Sequence, residues 1–412
     1  MKDVRYYGIY QFLKPKLIIR DPELIKSVTV KDFDYFTDHV AMVEPKADPL
    51  FGKNLLMLKG DDWKKADENF IQYFLNQPGD IIEIEAKETF ARYTIDVIAT
   101  TSFGVKVDSL NDRNNEFFRM GSELANISFT SFLKILLRQN LPTLYKMFKM
   151  TMFRKEVNDF FTALISDTVP TREKENIYRP DMLQNLIDAR KKNGEKESFT
   201  IEDITAQAAI FFFAGFDSVS SVMSFTSYEL ALNQDIQDKL RKEILDISEE
   251  NDGNITYDVI KQMKYLDMVI CEVLRKWPPF VIIGRECTKT YVIDPVYPGE
   301  KKVVVPKGTA IQIPLYAIHH DPKYYPDPEK FIPERFGTEQ KHQDKYFPFG
   351  QGPRACLGSR FALMEIKTIF VHILKTFKLV TTEKTQIPLK LVRKFSVNAR
   401  PENGLYIGLQ KL

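Results

Sequence analysis

Residue patterning predicts a mostly α-helical domain with small β-sheets at its edges (an α+β class), on three observations. Helical periodicity recurs over residues 203–232, 257–277 and 359–375, whereas β-prone runs are short and confined to 6–20, 280–313 and the tail 377–412. No linker rich in glycine and serine, internal repeat or low-complexity tract divides the chain, so residues 1–412 read as a single domain. Of the 412 residues, 44% are hydrophobic and 28% charged, an ordinary globular composition with enough apolar material for a large core.

Taken in order, residues 6–12 and 17–20 are β-prone runs around Lys14-Pro15-Lys16. Asp21-Pro22 places a capping side chain before a proline at the first helical position, which starts a helix through Val28. From residue 83 to near Arg172 the pattern is mainly helical. Helices follow over 203–232 and 257–277, then a β-like stretch in which Val303-Val304-Val305-Pro306-Lys307-Gly308 reads as strand and turn. A proline-rich loop, 321–333, leads toward a glycine-rich loop, 349–358. The last helix sets Ala362, Ile366, Ile369, Phe370 and Ile373 on one stripe, and the tail reads as β-hairpins.

Composition also narrows the function. Lysine plus arginine (58) nearly balances aspartate plus glutamate (56), and a net charge of +2 gives no reason to expect a nucleic-acid partner. Three cysteines, Cys271, Cys287 and Cys356, argue against a disulfide framework and for a reducing compartment. No run approaches the roughly 18 apolar residues that a spanning helix needs. The most apolar stretch, 208–216, is far shorter, and Met1-Lys2-Asp3-Val4-Arg5 has no signal-peptide pattern. The chain is therefore expected neither to span a membrane nor to enter the secretory route.

The segment Phe347-Pro348-Phe349-Gly350-Gln351-Gly352-Pro353-Arg354-Ala355-Cys356-Leu357-Gly358 carries the chemistry, because it places a cysteine in a glycine-rich loop directly before a strong helix. A thiolate ligand must stay anionic yet shielded from protonation. The helix start behind Cys356 offers the sulfur positive partial charge and free N–H groups. Gly352 and Gly358 are expected to take dihedrals closed to other residues, so that the backbone wraps the ligand. The loop resembles that of haem-thiolate proteins, which implies that Cys356 is the axial ligand of haem iron, where a thiolate favours O–O cleavage. Phe349 would cover the sulfur and Arg354 would pair with a haem propionate. The bland alternative is a turn with an incidental buried cysteine. Five fixed residue types over ten positions, Phe-x-x-Gly-x-Arg-x-Cys-x-Gly, favour the ligand.

With that loop in place, the chain resembles the cytochrome P450 family, most like its insect microsomal, xenobiotic-metabolising members, over nearly its whole length. Three further motifs fall in the family's order. Glu272-Val273-Leu274-Arg275 puts an acid and a base on one helix side, and the resemblance joins them to Arg335 of Pro333-Glu334-Arg335-Phe336 in a buried triad bracing the cysteine loop. Ala214-Gly215-Phe216-Asp217-Ser218 lies in a long apolar helix that the family sets over the distal haem face. There Gly215 would let the helix deform, and Asp217 and Ser218 would relay protons. Serine where most relatives have threonine keeps the hydroxyl but not the methyl that fixes its rotamer. Arg285, after Trp277-Pro278-Pro279, stands where relatives supply a propionate partner, and His319 or His320 is a weaker candidate of that kind. Cys271 and Cys287 read as structural.

The resemblance implies the cytochrome P450 fold and a monooxygenase with haem b, using NADPH electrons from a reductase, with cytochrome b5 as a further donor. Its substrate would be a lipophilic small molecule and its place the cytosolic face of the endoplasmic reticulum membrane. The other readings are a haem-binding but catalytically silent variant, and a haem-thiolate isomerase or dehydratase.

Two departures stand out. The family's membrane anchor is expected to be missing, since Met1 lies beside the first sheet. Residues 140–161 interleave apolar and basic side chains, which suits an interfacial helix and a buried core helix equally. Secondly, the family follows Trp63, itself counted among the cofactor-binding residues, with an arginine four positions on. Here that place holds Asp67, as if a helix were deleted between Lys65 and Ala66. The deletion would remove a propionate donor and part of the reductase-docking face, and an aspartate near a propionate would repel it.

Overall fold

The computed structural model describes residues 4–11, 14–36, 64–125, 133–134, 136–137, 141–147, 154–179, 181–192, 200–337, 344–392 and 399–412. Trp63 lies outside them. Strands β1 (Tyr6–Gln11) and β2 (Lys14–Ile19) form the expected antiparallel pair. Asp21 then caps α1 (Pro22–Lys26), its side chain accepting from Leu24 N at 2.9 Å, and the helix loosens into a π-turn, Ser27–Lys31. Next come α2 (Lys64–Leu75), β3 (Ile81–Glu85), α3 (Ala86–Ile98), α4 (Glu116–Ala125), α5 (Pro142–Met147), α6 (Lys155–Glu175) and α7 (Met182–Lys192). The longest helix is α8 (Ile201–Leu232), followed by α9 (Gln234–Glu250), α10 (Tyr257–Ile260) and α11 (Lys264–Lys276). Four short strands, β4 (Ile283–Glu286), β5 (Tyr291–Ile293), β6 (Val303–Val305) and β7 (Ala310–Ile313), precede α12 (Leu315–His319). The chain ends with α13 (Ser359–Thr376), β8 (Phe377–Val380) and β9 (Tyr406–Lys411).

Three sheets sit at the edges, in the orders β1-β2-β7-β4, β3-β9-β8 and β5-β6. The tail is hairpin-like as expected, with Leu391 and Pro401 bridged antiparallel, but it also reaches beyond itself. Its last strand pairs antiparallel with both β3 and β8, which ties the chain end to the start of α3.

The expectation about membrane-spanning length needs correcting. Although no uninterrupted apolar run reaches the required length, α8 as a whole is long and apolar enough to cross a membrane, and it alone among the described residues. Most of it is buried inside the structure, as befits a core helix. A reciprocal capping box of Thr200 and Asp203 starts it. Its buried hydroxyls hide by back-bonding: Ser220, Ser221, Ser224, Thr226 and Ser227 each donate to a carbonyl one turn earlier. The first half of α8 packs with α3, α4, α6 and α7, and its second half with α9, α11, α13 and the tail sheet. There Phe225 stacks on Trp277, ring centres 4.9 Å apart, a contact of about 0.5–1.5 kcal/mol beyond area burial.

The brace expected around Glu272 is present. One carboxylate oxygen accepts from Arg275 Nε at 2.7 Å; the other accepts from Arg275 Nη2 at 2.9 Å, Arg335 Nε at 3.1 Å and Ile332 N at 3.0 Å. Arg275 spends its remaining donors on the carbonyls of His319 (2.9 Å) and Pro328 (2.8 Å), and Arg335 reaches that of Pro326 at 3.0 Å. Glu272 and Arg275 are wholly buried. Removing one partner strands charge in the interior. Glu272→Ala is expected to cost about 3–5 kcal/mol, enough to abolish a stable fold. Chemical denaturation of the purified variant checks this, and native-like stability would show that the network is dispensable.

Candidate active site

The cysteine loop is built against this brace. His319 is fully buried, its ring lying 5.6 Å from that of Tyr346 and edge-on to Phe347 at 5.8 Å. Burial first, then the Arg275 charge, lowers its pKa to about 3. Tyr346 donates to Cys271 O at 3.0 Å. His319 thus wedges the loop onto the end of α11. His320 stacks on Tyr316 instead, at 4.0 Å.

Within the loop, Gly350 N donates to Phe347 O at 2.9 Å and Cys356 N to Phe349 O at 2.8 Å, so the chain folds back on itself before the cysteine. Gly350 and Gly352 both have left-handed backbones, with φ of 74° and 73°. A Cβ on Gly352 would also run into the backbone carbonyl of Thr29 in the π-turn after α1. Gly358 corrects the sequence reading: its φ is −80° and a Cβ there would meet nothing within 4 Å. It caps α13, so what it offers is its backbone, not dihedral freedom. Burial pushes the Cys356 thiol pKa up, and the Gly358 N–H pulls it back. Cys356 is exposed, whereas Cys287 is buried and donates to Lys289 O at 2.8 Å, as a structural residue would. Phe349 is half-buried beside the main core.

Two guanidiniums converge near the loop. Arg285 is buried on β4, and its pKa is lowered to about 10, first by burial and then by the Arg354 charge. Like charges held together in a partly buried place suit an anionic ligand group, and a haem propionate fits that requirement.

On α8 the predicted pair divides between two faces. Ala214 is exposed in the middle of a mostly buried helix, and Ser218, one turn on, is half-exposed and donates to Ala214 O at 2.6 Å. That uncovered strip is where a flat group could lie. Asp217 points elsewhere. It is buried and ion-paired with Lys87 of α3 at 3.0 Å, while Lys87 also donates to Asp217 O (2.7 Å) and Ser220 Oγ (2.6 Å). The acid and the hydroxyl therefore make no direct contact. A cavity of about 420 Å³ adjoins Asp217 and Lys87, with Phe118, Ser221, Ser224 and Arg400 in its wall. Sequence reading missed Lys87, since nothing local links residues 130 positions apart.

Gly215 also departs from expectation. The helix is unbroken, and a Cβ at Gly215 would collide with the Ile98 side chain of α3, so this glycine serves close helix packing. Asp67 is corrected as well. It is buried between α2 and α13, where Tyr93 OH donates to its Oδ1, rather than standing beside Arg285 and Arg354. Residues 140–161 split: Leu141, Leu144 and Met147 are exposed around α5, whereas Val157 and Phe161 of α6 are core; residues 148–153 lie outside the described residues.

Gly352→Ala is expected to destabilise the chain by about 1–3 kcal/mol, because it adds backbone strain to a collision with Thr29. Urea unfolding midpoints measure it; an unchanged midpoint would mean that the loop does not seat on the π-turn.

The sequence profile of the cytochrome P450 family matches residues 75–407. Cytochrome P450 9e2 of Blattella germanica is 40% identical over 465 aligned positions, covering 100% of this chain and 86% of the relative. Probable cytochrome P450 6a13 of Drosophila melanogaster is 38% identical, with 99% of this chain and 86% of the relative covered, and probable cytochrome P450 9f2 of the same fly is 36% identical. A helix-dominated fold with three edge sheets and the extended match to insect relatives lead to one conclusion: the chain belongs to the cytochrome P450 family, whose members are haem monooxygenases.

Proposed function

We propose that this enzyme inserts one atom of O2 into a lipophilic substrate, xenobiotic or endogenous, and reduces the other to water with NADPH electrons delivered by a reductase. The exposed thiol of Cys356 at the head of α13, beside paired arginines, is the observation that carries the reading. When bound, haem b supplies the oxygen chemistry. Cys356 would hold its iron, with the Gly358 N–H and the start of α13 favouring the thiolate. Arg285 and Arg354 would hold its propionates, and Gly352 and Phe349 would shape the loop around the sulfur. Trp63 keeps its proposed place at the cofactor by family resemblance alone.

Across the site, Ala214 leaves room on the α8 strip, and Ser218 holds a proton at Oγ. Because Asp217 is tied to Lys87, a proton handed from it to Ser218 must arrive from the side of the cavity, after Lys87 yields its bond. Glu272, Arg275 and Arg335 support the loop from the proximal side without touching the reacting atoms.

A single domain and an internal shortening near Lys65 belong to the same proposal. The match to the cockroach relative spans 465 aligned positions against the 412 residues here, which supports the shortening without locating it. Location at the cytosolic face of the endoplasmic reticulum is proposed from the family resemblance, and the exposed Leu141, Leu144 and Met147 around α5 offer apolar side chains to a membrane surface. Cytochrome b5 is proposed as a second electron donor.

The reduced, carbon-monoxide-treated protein is expected to show the strongly red-shifted Soret band of thiolate-ligated haem, and Cys356→Ala to lose it. Ser218→Ala should keep the band while product formed per NADPH falls severalfold. A native protein with no such band, or a Cys356→Ala variant that retains it, would overturn the assignment.

A further inference from the structure

The described residues treat their buried acids generously, with one exception. Glu272 has two guanidiniums and a backbone N–H, and both oxygens of Asp96 accept from Ser109 N at 3.0 Å. Between α2 and α13, however, Asp67 and Glu365 are 0% and 2% exposed, and Asp67 Oδ2 and both Glu365 oxygens have no hydrogen-bond partner. Their one donor is Tyr93 of α3, in a very short bond to Asp67 Oδ1.

We propose that Asp67 and Glu365 form a proton-holding clasp between α2 and α13, carrying at least one proton at neutral pH and releasing the two helices from each other when it is lost.

The argument is electrostatic and geometric. An isolated carboxylate moved into a low-dielectric interior costs far more than the whole stability of a domain, so such a group keeps its proton. Two neighbouring carboxyls without a shared cation cannot both ionise. The surrounding groups offer no relief. Glu68 of α2 adds negative charge near Asp67, and Tyr93 supplies a neutral donor. His372 of α13 stands 4.0 Å from Asp67 Oδ2, but burial and the neighbouring Lys375 disfavour its charged form. Among the described residues, no lysine or arginine acts on either acid. Burial accordingly pushes both carboxyls well above the ordinary range, with Asp67 a second cause for Glu365.

The sign of the pH effect follows. Groups whose folded pKa lies above the unfolded value of about 4 contribute stability that is complete below it and is lost as pH rises through the folded value. The clasp therefore weakens toward alkaline pH, opposite to ordinary acid denaturation. Glu365 stands on the helix that begins three residues beyond Cys356, so the weakening acts on the scaffold of the cysteine loop. Asp96, raised to about 7 chiefly by burial, shares the sign, so the test must separate the two.

Thermal unfolding of the full chain between pH 5 and 9 should show a midpoint that falls as pH rises. Glu365→Gln, which mimics the protonated acid, should raise the midpoint at pH 9 by several degrees and flatten the profile; Asp96→Asn should leave the clasp's share in place. Infrared spectroscopy gives a second readout at neutral pH: a protonated-carboxyl stretch that remains in Asp96→Asn and weakens when Glu365→Gln is added to it. No such band in the native protein, or a Glu365→Gln profile as steep as the native one, overturns the proposal. Neither measurement needs haem or turnover, so failure here is distinct from failure of the functional reading.

Discussion

The carboxylate of Glu272 is the constraint on which the irregular backbone leading to the cysteine loop depends. It accepts from a base on its own helix, from a base in the segment Pro333–Phe336 and from the backbone N–H of Ile332 just before that segment. Those bases in turn fix three carbonyls at residues 319, 326 and 328. A loop with little regular hydrogen bonding thereby gains a defined shape, because its backbone acceptors face fixed guanidinium donors instead of water. His319 converts that shape into a platform of rings for Tyr346 and Phe347, which open the cysteine loop. A buried ion pair is weak evidence for stability in general. Here its geometric role is plain, since each partner saturates groups on a different segment.

The second organising element is α8, which passes through two apolar clusters and belongs to neither alone. Its long contact with α3 requires close approach, and Gly215 against Ile98 supplies it. That same packing turns Asp217 toward Lys87 and leaves Ala214 and Ser218 uncovered. One helix thus presents a buried charged face and an open, nearly neutral strip within a single turn. Successive helical positions diverge by about 100°, so adjacent residues cannot share a face.

That divergence also explains what could be read from the sequence. The Glu272–Arg275 pair was legible because three-residue spacing fixes a common side whatever the rest of the chain does. The cap at Asp21 and the helix after Cys356 were legible for similar local reasons. Asp217-Ser218 looked like one unit because the residues are adjacent, and adjacency misled. Gly358 was given dihedral freedom that belongs to Gly350 and Gly352, since glycine alone does not reveal which position bends backward. Lys87, Ile98 and Thr29 matter only through neighbours distant in sequence, so no window of residues could expose them. The apolar reach of α8 was underestimated, though its extent was not: its serines and threonines interrupt an apolar run but are internally satisfied once helical.

The buried acids show how one fold treats the same chemical group in opposite ways. At Glu272 the chain spends two guanidiniums and gains a rigid junction among segments with no sheet between them. At Asp67 and Glu365 it spends a single phenol and relies on helix packing, so the acids contribute only while protonated. The difference tracks what each place must do. Irregular backbone around residues 326–336 needs directional donors to hold it, whereas α2 and α13 are already held by their own ladders and by the aromatic contacts of Phe70, Phe90 and Phe370. A helix pair stabilised that way tolerates an acid at its interface if the acid stays neutral. Because α13 starts at the cysteine loop, ionisation at one flank of the scaffold and charge pairing at the other bear on the same element from opposite sides.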